Sequence, residues 1–130
     1  MNANKVIYKE LSYKLVGVLF NVHKKLGGKY QEKYYQRAVE KALNSEEISF
    51  KKELSVDLKF KGEKIGKYFL DFLVEDKVVL ELKATPFFHP DDFRQILGYL
   101  KAKRLKLGIL ANFRGRKLTY KRILNSEVDL

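Results

Sequence analysis

The sequence predicts a mixed α/β fold, an α+β arrangement in which helices cover a mixed sheet in the order α-α-β-β-β-α-β. Three observations predict it. Apolar residues recur at helical spacing through the first third of the chain. From residue 49 to 83 the pattern changes to alternation, then to two short and nearly continuous apolar runs. A proline-opened helical pattern near residue 90 then separates these runs from one more apolar run at 105–113.

The first helix is expected over residues 5–26, where Ile7, Leu11, Leu15, Val18, Val22 and Leu26 form one stripe. Lys24 and Lys25 suit its C-terminal dipole, and Gly27-Gly28 ends it. His23, in the last turn, reads as a cap-region side chain rather than a ligand. A second helix is expected over 30–43, with Tyr35, Val39 and Leu43 on one face. Glu32, one turn before Tyr35 and Gln36, looks toward the same side. A glutamate in a first turn also favours the dipole without any further role.

Residues 49–60 alternate, with Leu54, Val56, Leu58 and Phe60 on one face and Glu53, Ser55, Asp57 and Lys59 on the other. That describes a strand with one wet face at or near a sheet edge. Residues 61–64 turn the chain. The runs at 68–74 and 78–82 are apolar on both faces, as in strands covered on both sides, and Glu75-Asp76-Lys77 joins them as a three-residue hairpin loop. These three strands should form an antiparallel meander. Pro90 is placed at the first position of the next helix, with Asp91 and Asp92 at its start. Phe93, Ile96, Leu97 and Leu100 make its core stripe, and Gln95 and Tyr99 a polar pair on the adjoining face. The run at 105–113 is a fourth strand, and 118–124 a short final strand or helix.

At 130 residues the chain is expected to be a single domain, 1–130, able to bury a core. No apolar run approaches the roughly 20 residues of a membrane span. The first ten residues lack the apolar centre of a secretory signal. With no cysteine there is no disulfide framework and no thiolate zinc site, which fits a cytoplasmic location. The two histidines, His23 and His89, do not make a metal site. Lysine and arginine outnumber acidic residues 27 to 16, a net charge of +11. Such an excess favours a polyanionic partner, most simply nucleic acid, although a generally lysine-rich protein uses the same charge for solubility.

The stretch 67–85 carries the chemistry. With the turn centred on Asp76, Val74 opposes Val78 and Asp71 opposes Glu81, so the two carboxylates share a face with Cβ atoms roughly 5 Å apart. Lys83, two residues beyond Glu81, lies on that face as well. An uncompensated buried carboxylate costs several kcal/mol. One reading is that Lys83 bridges the acids or that the strand ends are wet. The other is that two close carboxylates bind a divalent cation through hard oxygens, with the lysine steadying a phosphate. D-x9-E-x-K alone is a weak motif in a lysine-rich chain.

Taken with its order of elements, the sequence resembles the PD-(D/E)XK nuclease superfamily and, within it, the GxxExxY proteins. The resemblance rests on Leu26-Gly27, Glu32-x-x-Tyr35, Lys61-Gly62-x-x-x-Gly66, Asp71-x-x-Val74-Glu75-Asp76, Val79-x-Glu81-Leu82-Lys83-Ala84, Gln95-x-x-x-Tyr99-Leu100 and Gly108-x-x-x-Asn112-Phe113. One departure is that Lys29 stands where the family has glycine three before the signature glutamate, with glycines at Gly27 and Gly28 instead. Asp91-Asp92 before Gln95 is also atypical.

The resemblance implies a restriction-endonuclease-like core and a metal-dependent nuclease hydrolysing phosphodiester bonds, with DNA the expected substrate. It implies that Asp71, Glu81 and the backbone carbonyl of Leu82 hold Mg²⁺ or Mn²⁺, with Glu32 behind the metal. Lys83 would position the attacking water and steady the phosphate, and Gln95 and Tyr99 would order the site and contact the nucleic-acid backbone. The alternative is a non-catalytic nucleic-acid-binding or regulatory module on the same fold. By analogy with lone nuclease folds, a homodimer through the edge strand or through Phe87 and Phe88 is a further expectation.

Overall fold

The computed structural model describes residues 7–129. Three helices and five strands follow one another as α1 (Lys9–Leu26), α2 (Glu32–Ser45), β1 (Phe50–Phe60), β2 (Glu63–Val74), β3 (Val78–Lys83), α3 (Pro90–Lys103), β4 (Leu107–Asn112) and β5 (Thr119–Leu124). The expected order holds, and the final segment is a strand. Residues 5 and 6 of the expected first helix lie outside the described residues.

The sheet runs in sequence order, β1-β2-β3-β4-β5. The β3–β4 pair is parallel and the other pairs are antiparallel. Its single crossover is α3, which has the length a parallel connection requires. β3 and β4 sit at the centre, which explains their unbroken apolar runs: helices cover both faces. On one face α1 contributes Leu15, Leu19 and Val22 and α2 contributes Tyr35, Val39 and Leu43, all packed with Phe72, Leu80, Leu82 and Ile109. On the other, Ile96 and Leu100 of α3 pack with Leu70, Leu73, Val79 and Leu110. α3 lies so close to β4 that a Cβ on Gly108 would meet Ile96 Cγ2 at 2.5 Å. Tyr99, expected with Gln95 as a polar pair on the face adjoining the core stripe, belongs to this second core and is only 6 % exposed.

The β1–β2 hairpin is longer than its apolar pattern suggests. Lys61 and Gly62 both have positive φ (51° and 79°), the signature of a two-residue turn matched to strand twist. Phe60 therefore pairs directly with Glu63, and β2 starts five residues before its continuous apolar run. Leu54 is buried as expected, but Leu58 and Phe60 are exposed, because this end of the ribbon runs past the layer that would cover it.

One irregularity falls beside the charged patch. Phe50 and Phe72 pack in the α1/α2-side core, whereas Leu54 and Leu70 pack in the α3-side core. Strict alternation would put Phe50 with Leu54 and Leu70 with Phe72. The exchange of faces occurs at the level of Glu53 and Asp71, where Glu53 adopts a left-handed φ of 55° and the two residues do not pair, although the register is the same from Lys52↔Phe72 to Leu54↔Leu70. The pairing is interrupted at Asp71, and a register shift follows further along the ribbon, between Leu58 and Lys59.

Candidate active site

The ladder between β2 and β3 runs from Val74↔Val78 to Phe72↔Leu80, the register expected for a turn centred on Asp76. At the next level side chains take over from backbone. The Asp71 N–H donates to Glu81 Oε1 at 2.9 Å, and the Leu82 N–H donates to Asp71 Oδ2 at 2.8 Å. Each carboxylate thus occupies an amide of the strand opposite, just where the two strands part. Backbone groups left without a ladder partner must find another acceptor, and these acids supply it.

From α2, Gln36 Nε2 donates to Asp71 Oδ1 at 2.8 Å and to Glu32 Oε2 at 3.2 Å, tying the two acids together. The Glu32 carboxylate also accepts from the Ala84 backbone. Lys83 Nζ stands 3.7 Å from Glu81 Oε2 and 3.6 Å from Asp92 Oδ1. Asp92 is fixed in the first turn of α3 by a reciprocal cap: His89 N–H donates to Asp92 Oδ2, and the Asp91 N–H to His89 Nδ1. One ammonium accordingly faces four acids drawn from α2, β2, β3 and α3.

Burial, then the neighbouring Asp71 charge, pushes the Glu81 carboxyl from 4.5 up to about 9. Burial also raises Asp71, against the opposing pull of the Leu82 N–H, and raises Glu32 despite the nearby Lys83. For Lys83, burial acts to lower the ammonium, but Glu81, Glu32, Asp92 and Asp71 together outweigh it and hold it above the ordinary lysine value. Without a cation, the pair Asp71–Glu81 therefore keeps a proton at neutral pH. That is the condition under which a divalent ion binds with release of a proton.

Among the described residues, no three or more His, Cys, Asp or Glu side chains are grouped so as to hold an ion. A Mg²⁺ site does not require three, since one or two carboxylates with retained waters are its usual protein ligands. Asp71 and Glu81 are hard oxygen donors that cannot both ionise comfortably alone. Their chemistry fits such an ion.

Glu32, Asp71, Glu81 and Lys83, expected from the sequence, are brought together. Gln95 and Tyr99 are not placed with them. Gln95 joins the structure through its carbonyl, which accepts from Tyr68 Oη at 3.1 Å. The Tyr99 hydroxyl is raised by burial and feels Lys51 and Asp76, at the β2–β3 turn. The Leu82 side chain is buried in the α1/α2-side core, and its N–H serves Asp71. Gln36 and Asp92 were missed. The signal for Gln36 was its position four residues after Glu32 on one helical face; for Asp92 there was none beyond the capping pattern.

The loop that presents Glu32 is pinned. Tyr35 stacks on Phe113 with ring centroids 4.5 Å apart, and its hydroxyl donates to the Gly27 carbonyl and accepts from the Tyr30 N–H. His23 Nε2 lies 3.0 Å from the Gly115 carbonyl oxygen. Gly28 passes so near Gly115 that any Cβ there would collide with that carbonyl. The displaced glycines serve this loop in two ways, Gly27 through a positive-φ turn (78°) and Gly28 through its close contact with Gly115.

A mixed sheet with paired carboxylates and a lysine where β2 and β3 diverge defines the class of protein: a nuclease-like α/β domain. The sequence profile of the PD-(D/E)XK nuclease superfamily matches residues 9–123, and the chain belongs to that superfamily. The crystal structure of SSO0001 has a similar fold, with a TM-score of 0.56 and 18 % sequence identity over 72 % of this chain. This chain spans about half the length of SSO0001, covering 50 % of it. No curated protein matches the sequence.

Proposed function

We propose that this chain is a Mg²⁺- or Mn²⁺-dependent nuclease that hydrolyses phosphodiester bonds, with DNA as the substrate, and that it is of the GxxExxY type. The observation that supports this most is the contact of Asp71 and Glu81 beside Lys83: a half-buried and a buried acid that need a proton or a cation, next to an ammonium available to a phosphate. Asp71 and Glu81, with the Leu82 carbonyl as a further donor, would hold the ion, and Glu32 would stand behind it. The ion, when bound, supplies an acidified water and neutralises charge on the phosphate.

The residues of the chain do the rest. Gln36 fixes Asp71 and Glu32 in one orientation by donating to both. Lys83, partly buried and held fully protonated by its acidic neighbours, offers a charge for the phosphate that gains charge in the transition state. Asp92, from α3, holds the Lys83 ammonium together with Glu81.

A second reading has an observation of its own. Both oxygens of Asp71 and one of Glu81 already accept protein hydrogen bonds, so the acids are satisfied as structural parts of the strand fork. On that reading the chain binds nucleic acid without cutting it. Cleavage of single-stranded, duplex and branched DNA with Mn²⁺, beside Lys83→Ala and Asp71→Ala controls, separates the two. Cutting that both substitutions abolish, with binding in chelator retained, supports the nuclease. Salt-dependent binding with no cutting under any metal supports the binding module.

A further inference from the structure

β2 pairs with β3 only over residues 72–74, whereas its pairing with β1 continues back to Glu63. Beyond Leu54 and Leu70 the β1–β2 ribbon is therefore a two-stranded arm that starts at Asp71 and runs past the end of β3. Its root is held by Leu54, Val56, Tyr68 and Leu70 against α3. Its outer part is not covered: Leu58 and Phe60, which continue the face of Leu54 and Val56, and Phe69, which lies between Tyr68 and Leu70 and so projects to the other face, are each half or more exposed, as is Ile65. A free two-stranded ribbon with this much bare apolar surface is marginal on its own.

Lysines interleave with these side chains, at Lys59, Lys61, Lys64 and Lys67, against only Asp57 and Glu63 on the arm. Lys61 Nζ stands 5.5 Å from the Phe60 ring centroid and Lys67 Nζ 5.5 Å from that of Phe69, so each exposed ring carries an ammonium beside it. Pairs of this kind offer a flat apolar face for a base and a charge for the adjoining phosphate. A second copy of the chain is the weaker occupant, because it would bring another +11 to the same surface.

We infer that the β1–β2 arm is a nucleic-acid contact that stacks unpaired bases on Phe60 at one face and on Phe69 at the other, and that it directs the site toward substrates with single-stranded or splayed segments. This rests on the reading of the Asp71–Glu81 patch as a nuclease site. The physical reason is access: inside an intact duplex the base faces are stacked on one another, and only unpaired bases offer them to a side chain.

Binding measured by fluorescence anisotropy in chelator, on a single strand, a blunt duplex and a forked duplex, tests it without cleavage. Phe60→Ala with Phe69→Ala should weaken binding to the single strand and the fork by about tenfold or more and leave the blunt duplex little changed. Phe60→Tyr, which keeps the ring, should retain affinity. Lys61→Ala with Lys67→Ala should weaken all three and reduce the salt slope by roughly 1 to 2. Unchanged fork and single-strand affinity in the double phenylalanine variant, with its circular dichroism spectrum intact, would overturn the inference. So would a wild-type dimer in sedimentation that the same variant dissociates while its DNA affinity stays the same. A chain that binds forks through the arm but never cuts with Mn²⁺ sinks the nuclease reading alone. A chain that cuts while indifferent to all arm variants sinks this one.

Discussion

Asp71 and Glu81 hold each other's strands: Leu82 N–H reaches Asp71 at 2.8 Å, and Asp71 N–H reaches Glu81 at 2.9 Å. The exchange lets β2 and β3 separate without leaving buried amides unpaired. It also brings two acids into contact, so the same device that opens the sheet creates the demand for a cation. Structure and chemistry are coupled there, and the coupling can be measured.

The first prediction concerns pH. Glu81 is raised from 4.5 to about 9 in the folded protein, first by burial and then by Asp71. The native state therefore holds a proton that the unfolded chain releases above its ordinary carboxylate range. Its contribution to stability is complete below about pH 4.5, shrinks as pH rises, and is lost as pH passes about 9. In chelator, the melting temperature of Glu81→Gln minus that of the wild type should increase steadily from pH 5 to pH 9. The comparison is made as a difference because the net charge also changes over this range. Adding Mg²⁺ near pH 8 should raise the melting temperature of the wild type and not that of Glu81→Gln. A flat difference across the range would contradict this account of Glu81.

Lys83 is expected to separate stability from catalysis. It is the ammonium among Glu32, Asp71, Glu81 and Asp92, so Lys83→Ala should lower the metal-free melting temperature by leaving those acids to repel one another. A divalent ion can replace that charge. Mn²⁺ should accordingly raise the melting temperature of Lys83→Ala by more than it raises that of the wild type, while cleavage stays absent. Equal metal shifts in the two proteins would mean that the ion binds away from this ammonium.

Gln36 ties α2 to the site through Asp71 and Glu32. Gln36→Ala should weaken Mn²⁺ binding by about 10- to 100-fold, the usual effect of losing a side chain that orients a ligand. The loss of stability should be small, about 1 kcal/mol for a partly buried hydrogen bond. Isothermal titration with Mn²⁺ beside urea unfolding gives both quantities. An unchanged affinity would show that Asp71 needs no help from α2.

The placement of these side chains shows what a sequence alone can reveal. Asp71, Glu81 and Lys83 were legible because a short turn fixes hairpin register, and register fixes which residues face one another. β3 and the inner part of β2 were legible for a similar reason, since nearly continuous apolar runs such as 68–74 and 78–82 require cover on both sides. The pattern that pairs Tyr99 with Gln95 on a polar face does not reveal its burial: a tyrosine next to Leu100 on an amphipathic helix is equally a core residue, and only packing with Leu73 and Leu110 decides. Gln36 was passed over because its importance depends on a residue 35 positions away. The exposure of Leu58 and Phe60 was hidden too, because alternation says which side a residue faces and nothing about whether a layer exists there.

The last prediction tests the loop that carries Glu32. At Gly28 an added Cβ would strike the Gly115 backbone, which is tied to His23 Nε2 and to the Gly28 carbonyl and is not the far end of a flexible side chain. Gly28→Ala should therefore destabilise the fold by about 1–3 kcal/mol, the usual cost of forcing extra atoms into a filled space. It should also disturb metal binding, because the loop that must move leads directly into the first turn of α2, where Glu32 sits. Gly17, on the exposed side of α1 with nothing within 4 Å of a built Cβ, supplies the opposite case. Gly17→Ala should stabilise the protein by about 0.5–1 kcal/mol through helix propensity alone. Urea unfolding of both variants, with Mn²⁺ titration of Gly28→Ala, checks the pair. If the two substitutions change stability in the same direction, the close approach of Gly28 to Gly115 is not what holds this loop.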